Sequence, residues 1–278
     1  MKIYVVGTGG VGGFFGGKLA LAGNDVTFLA RGESYEKIKS EGLVIKSVDG
    51  DFSIKPAKVI NSYDEISNPD LIFFAVKTYD TEEVAKVLTK HVTSETVIIS
   101  FQNGIKNEIA IQQYIKTAEV YPGIAYVISA KTAPNIISQT GGLKRLVFGD
   151  KSNSNNQKLK KIEVLFRDAG IDVILSSDIE ADVWKKYIFI NAFAGMTALL
   201  SSPIGKILEN ADYTQMYEDC VHENIAIAKK MNVNLPETIF EDTMKLSRNT
   251  NPAAKSSLLI DIENNRRTEI ESLNGMIV

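Results

Sequence analysis

Lys186 stands in the run DVWKKYIFINAFAG, residues 182–195, which is apolar apart from Asp182, two lysines and Asn191. Lysine seldom enters an apolar surface without a partner or a task. At helical spacing Lys186 shares a face with Ile179, Val183, Phe189, Ile190 and Phe193. Two accounts fit that placement. Asp182 lies four residues earlier, and an exposed Asp182–Lys186 pair would contribute about 0.3–0.5 kcal/mol. Alternatively the ammonium points into a cleft. There it can stabilise negative charge developing on a carbonyl oxygen and then give that oxygen a proton. Two more polar side chains follow predicted strands, Lys77 after FFAV and Asn103 after IISFQ. Ligands of open α/β sheets bind outside the carboxyl ends of strands. Asn103-Gly104 is equally a turn signal.

The chain begins KIYVVGTGGVGGFFGGKLALAGNDVTFLA. A β-branched run, a glycine turn, a helical pattern ending near Gly23 and the strand DVTFLA make a βαβ unit. Gly7-Thr8-Gly9-Gly10-Val11-Gly12 fits G-x-G-x-x-G. In that pattern the first glycine permits a tight turn, the second lets backbone approach a pyrophosphate, and the third lets helix and strand pack closely. The helix N-terminus then offers free N–H groups to phosphate. The motif alone is weak evidence; its place between a strand and a helix is the confirming context. An NAD site carries an acid about 20 residues on. Here the second strand ends Leu29-Ala30-Arg31-Gly32. An arginine suits a ribose 2′-phosphate, so NADP(H) is expected, although Arg31 as a plain surface residue, with Glu33 near enough to neutralise it, remains the alternative.

Bulk properties remove other classes. Of 278 residues, 44% are hydrophobic and 23% charged, with a net charge of -3; this is an ordinary globular composition. It offers no basic surface for nucleic acid or anionic lipid. One cysteine, Cys220, excludes an internal disulfide, and no Cys/His cluster has zinc spacing. No metal is expected. The N-terminus is not a signal peptide and no run reaches about 18 apolar residues, so a cytoplasmic protein is expected. The two histidines, His91 and His222, fall in ordinary helical contexts, so any proton donor is expected not to be histidine.

The elements that must position these groups alternate. PDLIFFAVKTYD, TVIISFQNG, VYPGIAYVISAKTAPNIISQT, LKRLVFGD and IDVILSS read as strands. TEEVAKVLTKHV, IKNEIAIQQYIK and LKKIEVLFRDAG read as helices, and KSNSNNQ as a loop. The expectation is a doubly wound, mostly parallel α/β Rossmann domain over residues 1–177. From 178 to 278 helical periodicity replaces strands in four blocks, 179–200, 215–232, 236–248 and 252–275, giving an all-α second domain. A cleft between such domains is a common substrate site.

Taken in order, GTGGVGG at 7–13, VKTYD at 76–80, FQNG at 101–104, WKKYIFINAFAGMTAL at 184–199 and SSLLIDIENNRRTEIESLNG at 256–275 resemble the ketopantoate reductase (2-dehydropantoate 2-reductase) family. The resemblance implies NADPH-dependent reduction of ketopantoate to pantoate, on the way to pantothenate and coenzyme A. It implies Lys186 as proton donor, Asn103 touching substrate and cofactor, Ser257 on the substrate carboxylate, and Glu269 on the cofactor side. Gly7, Thr8, Gly9, Gly10, Val11, Gly12, Arg31 and Lys77 match its cofactor contacts. The partners implied are a small 2-oxo acid and a second copy of the chain, with no nucleic acid and no membrane. Three positions depart from the pattern. Ile190, Ala194 and Ile204 stand where the family carries asparagines, which makes a drier pocket and admits a different 2-oxo acid. Asn191 is one residue off, rotated by about 100° on a helix. Ser257 and Glu269 would lie about 18 Å apart on a straight helix, so both serve one compact site only if the ligand is long or the helix breaks, and Asn264-Asn265-Arg266-Arg267 could mark a break. The family pattern also continues for roughly one more helix past Val278. Readings that compete with this one are an opine-type dehydrogenase on the same plan and a non-catalytic NADPH-binding protein.

Overall fold

The structure, a computed structural model, describes residues 1–152 and 156–278. Part of the expected 151–157 loop, Asn153 to Asn155, therefore lies outside the described residues. The chain divides into two compact units: Met1–Gln102 with Lys106–Ile179, and Asn103–Ile105 with Glu180–Val278.

In the first unit, β1 (Lys2–Val6) leads through the glycine turn into α1 (Gly10–Leu21) and β2 (Asp25–Leu29). Next come α2 (Glu33–Glu41), β3 (Leu43–Ser47), β4 (Phe52–Ile54) and β5 (Lys58–Ile60). The alternation resumes with β6 (Leu71–Phe74), α3 (Thr81–Leu88), β7 (Val97–Ser100) and α4 (Asn107–Gln112). The unit closes with β8 (Glu119–Ala133), β9 (Ile136–Phe148), α5 (Gln157–Asp168) and β10 (Asp172–Leu175). The sheet order is β4-β3-β9-β8-β7-β6-β1-β2-β5, with β10 beside β9. Pairing is parallel except between β8 and β9 and between β3 and β4. This is a Rossmann-type, mostly parallel sheet extended by an antiparallel hairpin.

Helix α1 shows why the N-terminal run is so rich in glycine. A Cβ at Gly16 would lie 2.7 Å from Val5 and 2.9 Å from Phe28, on β1 and β2. A Cβ at Gly13 would lie 2.6 Å from Ile137, and one at Gly17 would lie 2.8 Å from Ile45, on β9 and β3. The sheet curls so that α1 is packed from both sides, and only a helix without side chains at these positions fits. A helix apolar all round is a buried one.

Four elements between Glu33 and Ile60 carry no expectation above. Helix α2 is short and mostly polar, and β3 to β5 are three to five residues each and partly exposed. Such segments give little periodic signal. The strand expected over 120–140 instead turns at Pro134-Asn135, where β8 reverses into β9. The helix expected from Ile105 begins at Asn107, after Lys106 with φ 62°.

The second unit is helical throughout: α6 (Ile179–Leu199), α7 (Ile204–Leu208), α8 (Ala211–Lys230), α9 (Ile239–Asn249), α10 (Ser257–Glu263) and α11 (Ile270–Leu273). Its core gathers Trp184, Tyr187, Ile188, Met196, Ile204, Ile207, Tyr217 and Val221, with Ile105 among them. The last block is two helices, separated at residues 264–269 with Asn265 at φ 52°. No helix among the described residues is long and apolar enough to cross a membrane.

Candidate active site

The glycine turn lies where β1 sits between β6 and β2. From β1 the chain goes on to β2 on one side, and from the adjacent β6 to β7 on the other; such a switch point is the usual ligand crevice of an open sheet. Gly7 has φ 106°, and a Cβ on it would lie 2.5 Å from the Ala75 carbonyl group and the Val76 nitrogen. The turn after β1 thus packs on the turn after β6, whose next residue is Lys77. Gly9 differs: a Cβ there would meet nothing within 4 Å. Gly9 also caps α1 with no side-chain hydrogen bond, and no acidic residue stands in the first turn. Open space in front of uncapped N–H groups is what a phosphate needs, so these residues fit a dinucleotide. Gly12 packs under the turn, its absent Cβ only 2.2 Å from the Gly7 carbonyl.

The remaining motif positions have structural tasks. Thr8 is buried and its hydroxyl donates to the Leu29 carbonyl at 2.7 Å, which ties the turn to the end of β2. Val11 packs against the sheet core. A Cβ at Gly10 would lie 2.2 Å from the Ser129 carbonyl, so β8 crosses close over the start of α1. Arg31 follows β2, is exposed, and donates to the Tyr63 hydroxyl at 2.9 Å with its guanidinium 5.4 Å from the ring centroid. It forms no ion pair among the described residues, Glu33 included. Tyr63 and Gln102 were not legible as site residues. Gln102 donates to the Val76 carbonyl at 2.9 Å and the Thr81 hydroxyl at 2.7 Å and accepts from Ser100. It braces the loop that carries Lys77.

In the helical unit, Lys186 and Asn103 meet. Lys186 Nζ donates to Asn103 Oδ1 at 2.8 Å. Asp182 makes an ion pair with Lys185 at 3.1 Å. Burial pushes the Lys186 ammonium down to about 8, because dense surroundings disfavour the charged form. Asn103 reaches this unit because Asn103–Ile105 packs with the helices although it follows β7 in the chain.

The other expected residues ride on α10 and α11. Ser257 is exposed at the first turn of α10. The preceding Ser256 caps that helix, accepting from Leu259 N at 3.1 Å, and receives Thr197 Oγ1 of α6 at 2.7 Å. Glu269 is buried just before α11. That helix is fastened to α6 by Tyr187, whose hydroxyl donates to the Leu273 carbonyl, and by Asn191, which donates there at 3.1 Å. Asn191 is buried and also accepts from Asn224 at 3.0 Å and Asn274 at 3.3 Å. It is a polar tie among α6, α8 and α11. Ala194 is buried against Leu258 and Leu273, with Ile190 and Ala198 alongside. Ile204 is fully buried in the helical core.

A Rossmann sheet with an open glycine turn and an all-helical unit carrying a desolvated lysine define a pyridine-nucleotide-dependent oxidoreductase. The family description Ketopantoate reductase PanE/ApbA matches residues 3–153, and its C-terminal counterpart matches residues 178–278. The chain is 34% identical to the uncharacterized oxidoreductase YkpB of Bacillus subtilis over 100% of this chain and 91% of the relative. It is 30% identical to a 2-dehydropantoate 2-reductase of Pyrococcus abyssi over 100% of this chain and 90% of the relative. The crystal structure of 2-dehydropantoate 2-reductase from Geobacter metallireducens superposes with a TM-score of 0.91 at 26% identity, covering 100% of this chain and 92% of that one. The chain belongs to the ketopantoate reductase family.

Proposed function

We propose that the protein reduces a 2-oxo acid with NADPH, ketopantoate being the first substrate to test, and that Lys186 supplies the proton. The observation that carries this is the Lys186–Asn103 hydrogen bond together with burial that brings the ammonium to about 8. A general acid works best with a pKa near the working pH, and an ordinary lysine is too weak an acid for that. The bound nicotinamide supplies the hydride. Lys186 stabilises the oxygen that gains charge and then protonates it. Asn103 Oδ1 accepts from the ammonium and orients it. Ser257, exposed on α10, receives the substrate carboxylate, and Glu269 and Lys77 orient the cofactor. Gly7, Gly9 and Gly12 shape its pyrophosphate seat, with the backbone of Thr8, Gly10 and Val11 completing the turn. Arg31, backed by Tyr63 and without an acidic partner, takes the 2′-phosphate and favours NADP(H) over NAD(H). The N-terminal unit is then the cofactor domain and the C-terminal unit the substrate domain. A second copy of the chain remains the expected macromolecular partner.

One observation favours a different 2-oxo acid. One turn beyond Lys186, the half-buried Ile190 packs on the buried cluster of Ala194, Leu258 and Leu273 and offers no hydrogen bond to a substrate hydroxyl. A substrate with an apolar side chain suits Ile190 better than a hydroxylated one. The test is NADPH oxidation over a panel of 2-oxo acids, with ketopantoate and apolar analogues, for the parent and Lys186→Ala. The reading requires a rate loss of about 10²–10⁴ in the variant; activity within threefold of the parent on the best substrate would remove Lys186 from the mechanism.

A further inference from the structure

Lys131 lies on β8, outside the glycine motif and the five family-like segments. β8 crosses so close to the start of α1 that a Cβ on Gly10 would lie 2.2 Å from the Ser129 carbonyl and 3.0 Å from the Ala130 nitrogen. From Ser129 to Lys131 the strand runs in regular register against Gln139, Ser138 and Ile137. Side chains of alternate residues share a face, so Ser129 and Lys131 lie on one side of β8. The Ser129 hydroxyl is buried and has no hydrogen-bond partner, which is the condition of a group that a ligand or water satisfies. Lys131 reaches from β8 to the first turn of α2, where its Nζ donates to Ser34 Oγ at 2.8 Å. Ser34 is itself buried, at 9% exposure, and stands three residues after Arg31.

Two cations from distant parts of the chain therefore flank the same short segment after β2. Neither makes an ion pair among the described residues. The acids nearby in sequence, Glu33 and Glu36, are exposed on the first turn of α2 and leave both cations uncompensated. A free lysine has about 2 kcal/mol of rotamer entropy. Tethering the ammonium to a buried hydroxyl removes part of that cost before any anion arrives.

We infer that Lys131, held by Ser34, is the second cation on the ribose 2′-phosphate and acts with Arg31 to select NADPH over NADH. This rests on the NADP(H) reading above. Arg31 gives the phosphate a planar fork from the β2 side; Lys131 gives a point charge from the β8 side. The sheet curl that brings the hairpin over α1 is what places the second charge there.

The test is equilibrium titration of the full-length protein with NADPH and with NADH, followed by nicotinamide fluorescence, for the parent, Arg31→Ala, Lys131→Met and Lys131→Arg. Losing one charge-assisted contact lowers affinity by about tenfold or more. Lys131→Met is expected to lose about that factor for NADPH while NADH binding stays within twofold, and Lys131→Arg to keep the preference. NADPH affinity of Lys131→Met within twofold of the parent overturns the inference. An equal loss for both cofactors also overturns it, because the charge would then serve a shared group or the fold. A parent that binds both cofactors equally, with Arg31→Ala unchanged, removes the NADP(H) reading before Lys131 is considered.

Discussion

The glycine turn and the Lys186 face solve opposite problems. The turn after β1 is, on the proposed reading, a site made of backbone, and its requirement is that side chains be missing. Gly9 faces open space, while Gly7 is pinned against the Ala75–Val76 backbone at 2.5 Å. The face of α6 is, on the proposed reading, a site made of one side chain, and its requirement is that water be scarce. Lys186 donates to Asn103 Oδ1 at 2.8 Å, and burial lowers its pKa to about 8. The difference shows how binding and chemistry can be built separately. A charged ligand is held by dipoles that cost nothing to preorganise, whereas a proton donor is tuned by an unfavourable environment that the fold must sustain.

The largest effect that would sharpen this contrast comes from paired valines. Gly9→Val should fold normally, since its space is open and its φ of -93° is ordinary. It should nevertheless lose dinucleotide affinity on the order of a hundredfold, the worth of two charge-assisted hydrogen bonds. Gly7→Val should instead fail in thermal denaturation, because φ 106° and the Ala75 backbone both reject a side chain. Equal stability for the two variants would break the distinction between an open and a packed glycine.

Asn103→Ala comes next. Removing the acceptor of a hydrogen bond from a charged donor costs about 1.5–3 kcal/mol, so kcat should fall about tenfold to a hundredfold. The alkaline limb of the pH–rate profile should also move to lower pH, because the charged lysine loses a stabilising partner. An unchanged profile would mean that Asn103 acts only on binding.

The profile of the parent is the third measurement. Lys186 must be protonated to donate, so the reduction rate should fall about tenfold per pH unit above about 8, where burial places the group. A flat rate from pH 7 to 10 would dissociate the step from this lysine.

The smallest effect is on stability. The folded pKa of Lys186 is depressed from 10.5 to about 8, so between those values the unfolded chain binds more protons than the folded one. Stability should then rise with pH through that window, and the cost of the buried charge is fully present below it. Lys186→Met should therefore be more stable than the parent at pH 7 by about 2 kcal/mol. In denaturant titrations the gain should vanish by pH 11.

Local patterns placed much of this molecule. The apolar runs KIYVV and LIFF are wholly or nearly wholly buried strands, and their alternation with helical patterns marked the parallel part of the sheet. The break between α10 and α11 follows from two asparagines before two arginines, a sequence with little to bury and a residue tolerant of positive φ. By contrast, α2, β3, β4 and β5 are too short and too exposed to carry a period. Tyr63, Gln102, Ser34 and Lys131 carry no local mark at all. Their partners, Arg31, Val76 and each other, lie 26 to 97 residues away.

From the sequence alone one could know that a G-x-G-x-x-G turn follows the first strand, that an arginine stands where NAD sites carry an acid, and that a lysine enters an apolar helical face. Those are properties of neighbouring residues, fixed by spacing and side-chain type. Only the tertiary structure decided that Asn103 leaves the strand it follows to meet Lys186, that Asp182 pairs with Lys185, and that Asn191 fastens helices while Ala194 is packed away. Each of these depends on which distant surface arrives opposite a side chain, and on whether water is expelled when it does.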